Sequence, residues 1–200
     1  MSTLRDFSAE QVPREPGGVM HRDRRTQVLD AALTTFARHG YRKTSMDDVA
    51  RAADISRPGL YFLFSAKPDL FHATVEHALE DGVGAAAAAL ADDGAPLNDR
   101  LLEAFDHWSG RYVGPLAAEI DGLIEANPGL LGTMPAEYSS RFRSLVTTAV
   151  REARDQDARA TPEDVARTLI STAIGIKHDA GTREEFRTRM SVAIDLYRAH

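Results

Sequence analysis

Apolar residues recur every three or four positions along most of the chain, which is the spacing of amphipathic helices. The first clear repeat runs from Arg22 to Arg38, and Gly40 follows it as a C-terminal stop signal. Its apolar positions are Val28, Leu29, Ala32, Leu33 and Phe36. The pattern predicts one amphipathic helix with a marked end.

Two short helices and one long helix are predicted next. Ser45 is placed to cap the second helix, with Asp48 as the partner carboxylate of a capping box. Ser56 is placed to cap the third helix, whose first turn reads Arg57-Pro58-Gly59, and a fourth helix opens near Lys67-Pro68. Two short helices joined by a tight turn and packed on a longer one form a helix-turn-helix, whose second helix can enter a DNA major groove.

The remaining residues continue the helical spacing, interrupted by breakers such as Asn127-Pro128-Gly129 and Thr161-Pro162. The predicted spans are about 69–91, 97–113, 115–126, 135–156, 162–179 and 183–198. We therefore expect an all-α fold in three parts: a mobile arm at 1–21, a three-helix helix-turn-helix domain at 22–68 and a larger helical domain at 69–200. Whether the arm has a function beyond being a solvated tail is left open by its composition.

The last two predicted helices carry more apolar surface than one buried face needs. Gly175 lies in the first of them and permits close approach of another backbone. The pattern favours a dimer interface built as a helix bundle, and a thicker monomer core is the alternative. The residues expected there are Ala166, Ile170, Ile174, Gly175, Met190, Ile194 and Tyr197.

Charge is distributed unevenly along the chain. The formal net charge is −6, but residues 20–70 carry +3 whereas residues 71–200 carry −8. This distribution excludes a protein that binds nucleic acid through its whole surface and fits a small basic module on an acidic body. The chain has no cysteine, no long apolar run and no apolar leader, so we expect a cytoplasmic protein without a membrane segment.

Residues 24–70 carry a dense pattern in fixed register. It reads Arg25-x2-Val28-Leu29-x-Ala31-Ala32-x3-Phe36-x3-Gly40-Tyr41-x2-Thr44-Ser45-Met46-x2-Val49-Ala50-x2-Ala53-x-Ile55-Ser56-x2-Gly59-Leu60-Tyr61-x2-Phe64-x2-Lys67-x2-Leu70. This pattern resembles the N-terminal domain of the tetracycline-repressor (TetR) family. The resemblance implies an all-helical homodimer with this DNA-binding domain, a larger effector-binding and dimerisation domain, and a role that is usually transcriptional repression.

The start of the third helix holds the residues expected to contact DNA most directly. Arg57 can reach a guanine edge with its bidentate fork, and Pro58 and Gly59 complete the turn that approaches the duplex. Tyr61 either reaches a phosphate with its hydroxyl or is simply a core residue. Lys67 sits near a helix N-terminus, where a phosphate is favoured.

Further contacts are expected around this helix. Thr44 and Ser45 are expected first to cap the second helix and second to meet a DNA phosphate. Arg22, Arg24 and Arg25 are expected to add electrostatic affinity for the duplex. The plainer interpretation of each is an ordinary surface or capping residue.

Phe105, Trp108 and Phe142 are candidate walls of an effector pocket, with His107 as a polar candidate, although aromatic residues at helical spacing are more often core. No motif indicates catalysis, a cofactor or a metal site. We therefore expect a ligand-responsive repressor that binds a pseudo-palindromic double-stranded DNA operator as a homodimer and is released by a small-molecule effector. The alternative is a helical enzyme or small-molecule carrier with a helix-turn-helix-like module.

Overall fold

The computed structural model describes residues 17–114, 122–153 and 160–198, and every regular element within those ranges is helical. The all-α prediction is confirmed over this part of the chain. Most of the predicted arm at 1–21 and most of the predicted helix at 115–126 lie outside the described residues.

The N-terminal part contains α1 (Gly17–Lys43), α2 (Met46–Ala52), α3 (Arg57–Leu63) and the long α4 (Lys67–Leu90). Gly40 interrupts α1 with φ 75°, a left-handed backbone value that favours glycine, as expected for its stop signal. Asp54 has φ 51° in the turn between α2 and α3, a conformation that aspartate tolerates better than most residues. These elements form the expected helix-turn-helix.

The C-terminal part contains α5 (Leu97–Trp108), α6 (Pro128–Leu131), α7 (Met134–Glu152), α8 (Pro162–Asp179) and α9 (Arg183–Arg198). Residues 122–125 are also helical. The predicted helix at 97–113 is shorter than expected, because α5 ends at Trp108 and a 3₁₀ turn follows at Gly110–Tyr112. The short α6 was not predicted.

The central helix α4 joins the two parts, since it packs against α1 at one end and against α5 and α7 further along. At the first contact, Phe71 of α4 meets Phe36 edge to face at 5.3 Å and Tyr41 at 4.9 Å. At the second, buried rings including Phe105 and Phe142 fill the bundle. Among the described residues, no helix is long and apolar enough to cross a membrane.

Candidate nucleic-acid interface

The start of α2 is fixed by a complete capping box. The Ser45 backbone N–H donates to Asp48 Oδ2 at 2.9 Å, and the Asp48 backbone N–H donates to Ser45 Oγ at 3.2 Å. Hydrogen bonds from the Ser45 side chain and backbone lower the pKa of the Asp48 carboxyl. The predicted capping role of Ser45 is therefore present in the structure.

The side chain of Thr44, unlike that of Ser45, is buried and does not cap α2. It is 2% exposed, and its hydroxyl donates to the Gly40 carbonyl at 2.9 Å. The expectation that Thr44 caps α2, or meets DNA with its side chain, needs correction, because the kink at Gly40 turns that side chain inward.

Helix α3 presents a polar and aromatic face outward from a buried anchor. Leu60 is completely buried, whereas Arg57, Pro58 and Tyr61 are exposed. Ser56 caps the helix by accepting a 3.2 Å hydrogen bond from the Gly59 N–H, and a Cβ at Gly59 would lie only 3.1 Å from Ser56 Oγ. The absence of a side chain at Gly59 thus leaves room for the Ser56 hydroxyl that caps α3. It also leaves the backbone accessible to a DNA duplex.

The Arg57 side chain is held between two neighbouring side chains, those of Asp47 and Tyr61. Its Nε lies 3.1 Å from Asp47 Oδ1, and its guanidinium carbon lies 5.7 Å from the centre of the Tyr61 ring. A hydrogen bond with Tyr61, followed by the charge of Asp47, raises the pKa of Arg57. Tyr61 is 42% exposed and so is not the plain core residue that its apolar spacing allowed.

Two predicted phosphate contacts have partners within the protein. Arg25 Nη1 donates to the Leu63 carbonyl at 3.1 Å, and its guanidinium lies 4.2 Å above the Phe64 ring. Lys67 Nζ donates to the carbonyls of Tyr41 and Thr44, both at 3.0 Å. These contacts join α3 and α4 to α1. Arg24 is exposed, and the side chain of Arg22 lies outside the described residues.

Sequence reasoning missed two features of this domain. Phe62 on α3 is 79% exposed, although a phenylalanine in a helical pattern is normally assigned to the core. A groove between α1 and α2 is lined by Arg38, His39, Lys43 and Arg51. The excess of positive charge at 20–70 was the signal for the groove, whereas the seven residues of α3 gave no signal for the exposure of Phe62.

The predicted effector residues separate into two groups. Phe105 and Phe142 are buried and meet edge to face at 5.3 Å, which is a core contact. Trp108 stacks on Phe142 at 5.0 Å and also lines a cavity of about 380 Å³, together with Leu33, Tyr112 and other residues of several helices. His107, Phe105 and Phe142 are not among the described residues that line this cavity.

The residues predicted for the dimer interface also fall into two groups, one buried and one partly or fully exposed. Ala166, Met190 and Ile194 are buried within the protomer, so their expected place in the dimer interface is corrected to the protomer core. Ile170 and Tyr197 are half-buried, whereas Ile174 is exposed and a Cβ on Gly175 would meet nothing within 4 Å. Two further apolar residues of α9 are exposed, Val192 at 55% and Leu196 at 63%.

Residues 28–74 match the family model described as bacterial regulatory proteins, tetR family. This span contains α2, α3, the Arg57–Tyr61 face and the hydrogen bonds of Lys67 to Tyr41 and Thr44, whereas Arg25 lies just before it. Residues 28–74 form a TetR-family domain. Members of the matched family are regulatory proteins and not enzymes.

Curated relatives resemble this chain over part of their length. The transcriptional regulator YfiR of Bacillus subtilis is 38% identical over 64 residues, which are 32% of this chain and 31% of the relative. The transcriptional activator FasR of Mycolicibacterium smegmatis is 32% identical over 97 residues, 45% of this chain and 44% of the relative. The negative transcriptional regulator IcaR of Staphylococcus aureus is 32% identical over 50 residues, 25% and 27% of the two chains. Each match spans less than half of the relative.

Solved structures extend the likeness of the fold beyond the TetR-family domain. A TetR-like transcriptional regulator from Rhodococcus sp. RHA1 superposes with a TM-score of 0.63 at 22% identity, covering 94% of this chain and 99% of that chain. SmeT, solved as a complex with triclosan, superposes with a TM-score of 0.66 at 22% identity, covering 88% and 90%. At these identities the likeness shows the fold alone.

Proposed function

We propose that this protein is a transcriptional repressor that binds a pseudo-palindromic DNA operator as a homodimer and is released by a small-molecule effector. The observation that carries the proposal is the outward face of α3, where Arg57 is held between Asp47 and Tyr61 on a helix anchored by the buried Leu60. A bidentate arginine at the start of a recognition helix is suited to reading a guanine edge. Its action on chromosomal DNA would take place in the cytoplasm.

The basic character of the N-terminal part supports a duplex as the partner. Residues 20–70 carry +3 on a chain whose remaining C-terminal part carries −8. Lysine and arginine side chains around the reading helix supply affinity for phosphates without specifying sequence. We favour repression over activation, because a dimer seated on its operator blocks transcription without further machinery and the relative IcaR is a negative regulator.

Dimerisation is supported by the exposed apolar residues of α8 and α9. Ile174, Val192 and Leu196 are large apolar side chains left open to solvent in the protomer. A self-complementary patch of this kind forms two-fold dimers, which place two identical heads on one face of the duplex. Half-sites are then expected about 34–36 Å apart, or at a multiple of that spacing.

The proposed effector site is the 380 Å³ cavity beside Trp108. It is bounded by Leu33 of α1 and by Val75, Ala78 and Leu79 of α4, so an occupant would touch the DNA-binding domain and the helical bundle together. A larger groove of about 710 Å³ runs between α4 and α7, but no residue of α1 lines it. The effector must prefer the conformation that binds DNA weakly, and a tenfold release requires about 1.4 kcal/mol of coupling.

The DNA-binding part is tested by selecting duplexes from a random library with the parent protein and measuring affinity for the selected sequence. Arg57→Ala should weaken specific binding by about 1–3 kcal/mol and relax the preference at one position of each half-site. Arg143→Ala is the matched control, because it removes one exposed positive charge from α7. Failure to select any sequence, or equal losses in both variants, would contradict the proposal.

The effector part is tested through Trp108, which is the single tryptophan of the chain. The fluorescent probe 1-anilinonaphthalene-8-sulfonate should accept energy from Trp108 when it occupies the cavity, and saturating operator DNA should weaken its binding. Ser139→Phe adds a ring at the cavity wall and should lower probe affinity. Probe binding that is insensitive to both operator and Ser139→Phe would place the effector site elsewhere.

A further inference from the structure

The outward face of α3 carries a phenylalanine, Phe62, besides Arg57 and Tyr61. Successive residues of a helix are rotated by about 100°, so Pro58 and Phe62, four residues apart, lie on the same face. Leu60 is completely buried and fixes which side of α3 points inward. Phe62 therefore projects outward, and 79% of its surface is open to solvent.

This exposure is unusual in its location. The other large apolar residues exposed to a comparable degree in the described part of the chain, Ile174, Val192 and Leu196, belong to α8 and α9. Phe62 lies on a different element, the short helix α3 that also carries Arg57 and Tyr61. A large exposed ring indicates a contact surface more strongly than an exposed aliphatic residue does, because the ring presents more apolar area to water.

The charges around Phe62 indicate a polyanion as its partner. Arg57 lies on the same short helix, and Arg24 and Arg25 are exposed on the adjacent part of α1. Arg25 donates to the carbonyl of Leu63, the residue next to Phe62, which places a guanidinium at this end of α3. An exposed apolar ring on the same short helix as an exposed arginine fits a DNA groove, where apolar base substituents lie between rows of phosphates.

The major groove offers one apolar group that distinguishes a base, the C5-methyl group of thymine. We propose that Phe62 reads a thymine through this methyl group, beside the base edge contacted by Arg57. Arg57 and Phe62 lie five residues apart and point to opposite edges of the outward face. The thymine is thus at a different base pair from the one that Arg57 contacts. This inference rests on the proposed DNA-binding function and adds a second specificity-determining residue to it.

The test replaces each thymine of the selected half-site, one at a time, by deoxyuridine, which removes the methyl group and keeps the hydrogen-bonding edge. For the parent protein, one position should weaken binding by about fourfold per half-site, the effect of burying one methyl group. Phe62→Ala should bind the thymine operator more weakly by at least that factor. It should no longer distinguish thymine from deoxyuridine at this position, while the position read by Arg57 keeps its preference.

Phe62→Leu is the matched variant, because it keeps an apolar side chain and should retain part of the discrimination. Thermal unfolding should be unchanged in Phe62→Ala, because the ring is mostly exposed. If the parent binds its operator but is indifferent to every thymine-to-deoxyuridine change, the role of Phe62 is refuted while the DNA-binding function stands. If Phe62→Ala still distinguishes the two bases, the proposal is likewise refuted. Absence of any sequence-selective binding refutes the functional proposal itself.

Discussion

At the scale of single residues, two cations expected at phosphates stabilise the DNA-binding domain from within. Arg25 joins α1 to the end of α3, and Lys67 joins the start of α4 to the end of α1. Lys67 Nζ also lies 4.5 Å from the centre of the Tyr41 ring. A positive charge at the C-terminal carbonyls of a helix is favourable, because it opposes the negative end of the helix dipole. Both side chains hold the reading helix in place.

Lys67→Ala should lower the free energy of unfolding by roughly 1–3 kcal/mol, because two carbonyls lose a charged donor. Urea unfolding followed by circular dichroism measures this change. Lys43→Ala, at an exposed position at the end of α1, is the control for the loss of one lysine from the chain.

The same variant also tests the phosphate expectation. If Lys67 acts only within the protein, the slope of operator affinity against salt concentration should be unchanged. A slope reduced by about one would show that Nζ also contacts a phosphate. An unchanged free energy of unfolding in Lys67→Ala would contradict the stabilising role of Lys67.

At the scale of elements, the last helix is held to α5 by an ionic cluster centred on the buried Asp106. Asp106 of α5 is 1% exposed and accepts from Arg183 at 2.9 and 2.7 Å and from Arg187 at 2.6 Å. Arg187 also pairs with Glu103. Gly110 passes close to this cluster, and a Cβ there would overlap Asp106 Oδ1 and lie 2.8 Å from Phe186 Cδ1. The absence of a side chain at Gly110 lets α9 approach α5.

Gly110→Ala should therefore destabilise the fold by about 1–3 kcal/mol, the usual effect of overpacking. Gly84→Ala is the matched control, because a Cβ at Gly84 on α4 would meet nothing within 4 Å. The control should be neutral or stabilising by up to about 1 kcal/mol, since alanine is the better helix former. Thermal unfolding measures the stability change in both variants. Equal changes would show that a Cβ at Gly110 can be accommodated without overpacking.

The ionic cluster also predicts a pH dependence. Burial raises the pKa of Asp106, but hydrogen bonds from Arg183 and Arg187 outweigh it, and the pKa lies below its ordinary value. A lowered folded-state pKa stabilises the fold above the unfolded value of about 3.9, and this contribution is lost as pH falls through the folded value. The stability difference between the parent and Asp106→Asn should hence be largest near neutral pH and shrink below about pH 4.

Urea titrations at several pH values measure this difference, with Asp93→Asn in an exposed turn as the control. A difference that is constant from pH 7 to pH 3 would show that Asp106 acts through packing alone.

At the scale of the whole molecule, the acidic body and the basic head are separated along the chain, and the exposed aliphatic residues Ile174, Val192 and Leu196 lie on α8 and α9. In the proposed dimer, this arrangement would keep the acidic surface away from a phosphate backbone while the two heads are joined through the body. Coupling of the heads is what converts two weak half-site contacts into tight operator binding.

Leu196→Asp should convert the dimer into monomers at micromolar concentration, because a charge would be buried in the proposed apolar interface. Operator affinity should then fall by roughly 100-fold or more. Sedimentation velocity and gel shift check the two effects, with Ala136→Asp on α7 as an exposed control. A monomeric parent protein with intact operator binding would contradict the dimer.

Most of the helices, the caps at Ser45 and Ser56 and the outward position of Arg57 could be predicted from the sequence. Those features depend on residues within one or two helical turns, where spacing and capping chemistry act directly. Phe62 was missed because an apolar residue in a seven-residue helix does not reveal whether it faces inward.

The sequence by itself determined the helical class, the helix-turn-helix and the charge separation, because local periodicity and composition are sufficient for these. Only the tertiary structure decided that Lys67 reaches carbonyls 23 and 26 residues away and that Asp106 meets Arg183 from 77 residues away. It also decided that Met190 and Ile194 face the protomer core while Val192 and Leu196 face outward. Helical spacing groups residues into stripes, but the angle at which neighbouring helices pack determines which stripe is covered.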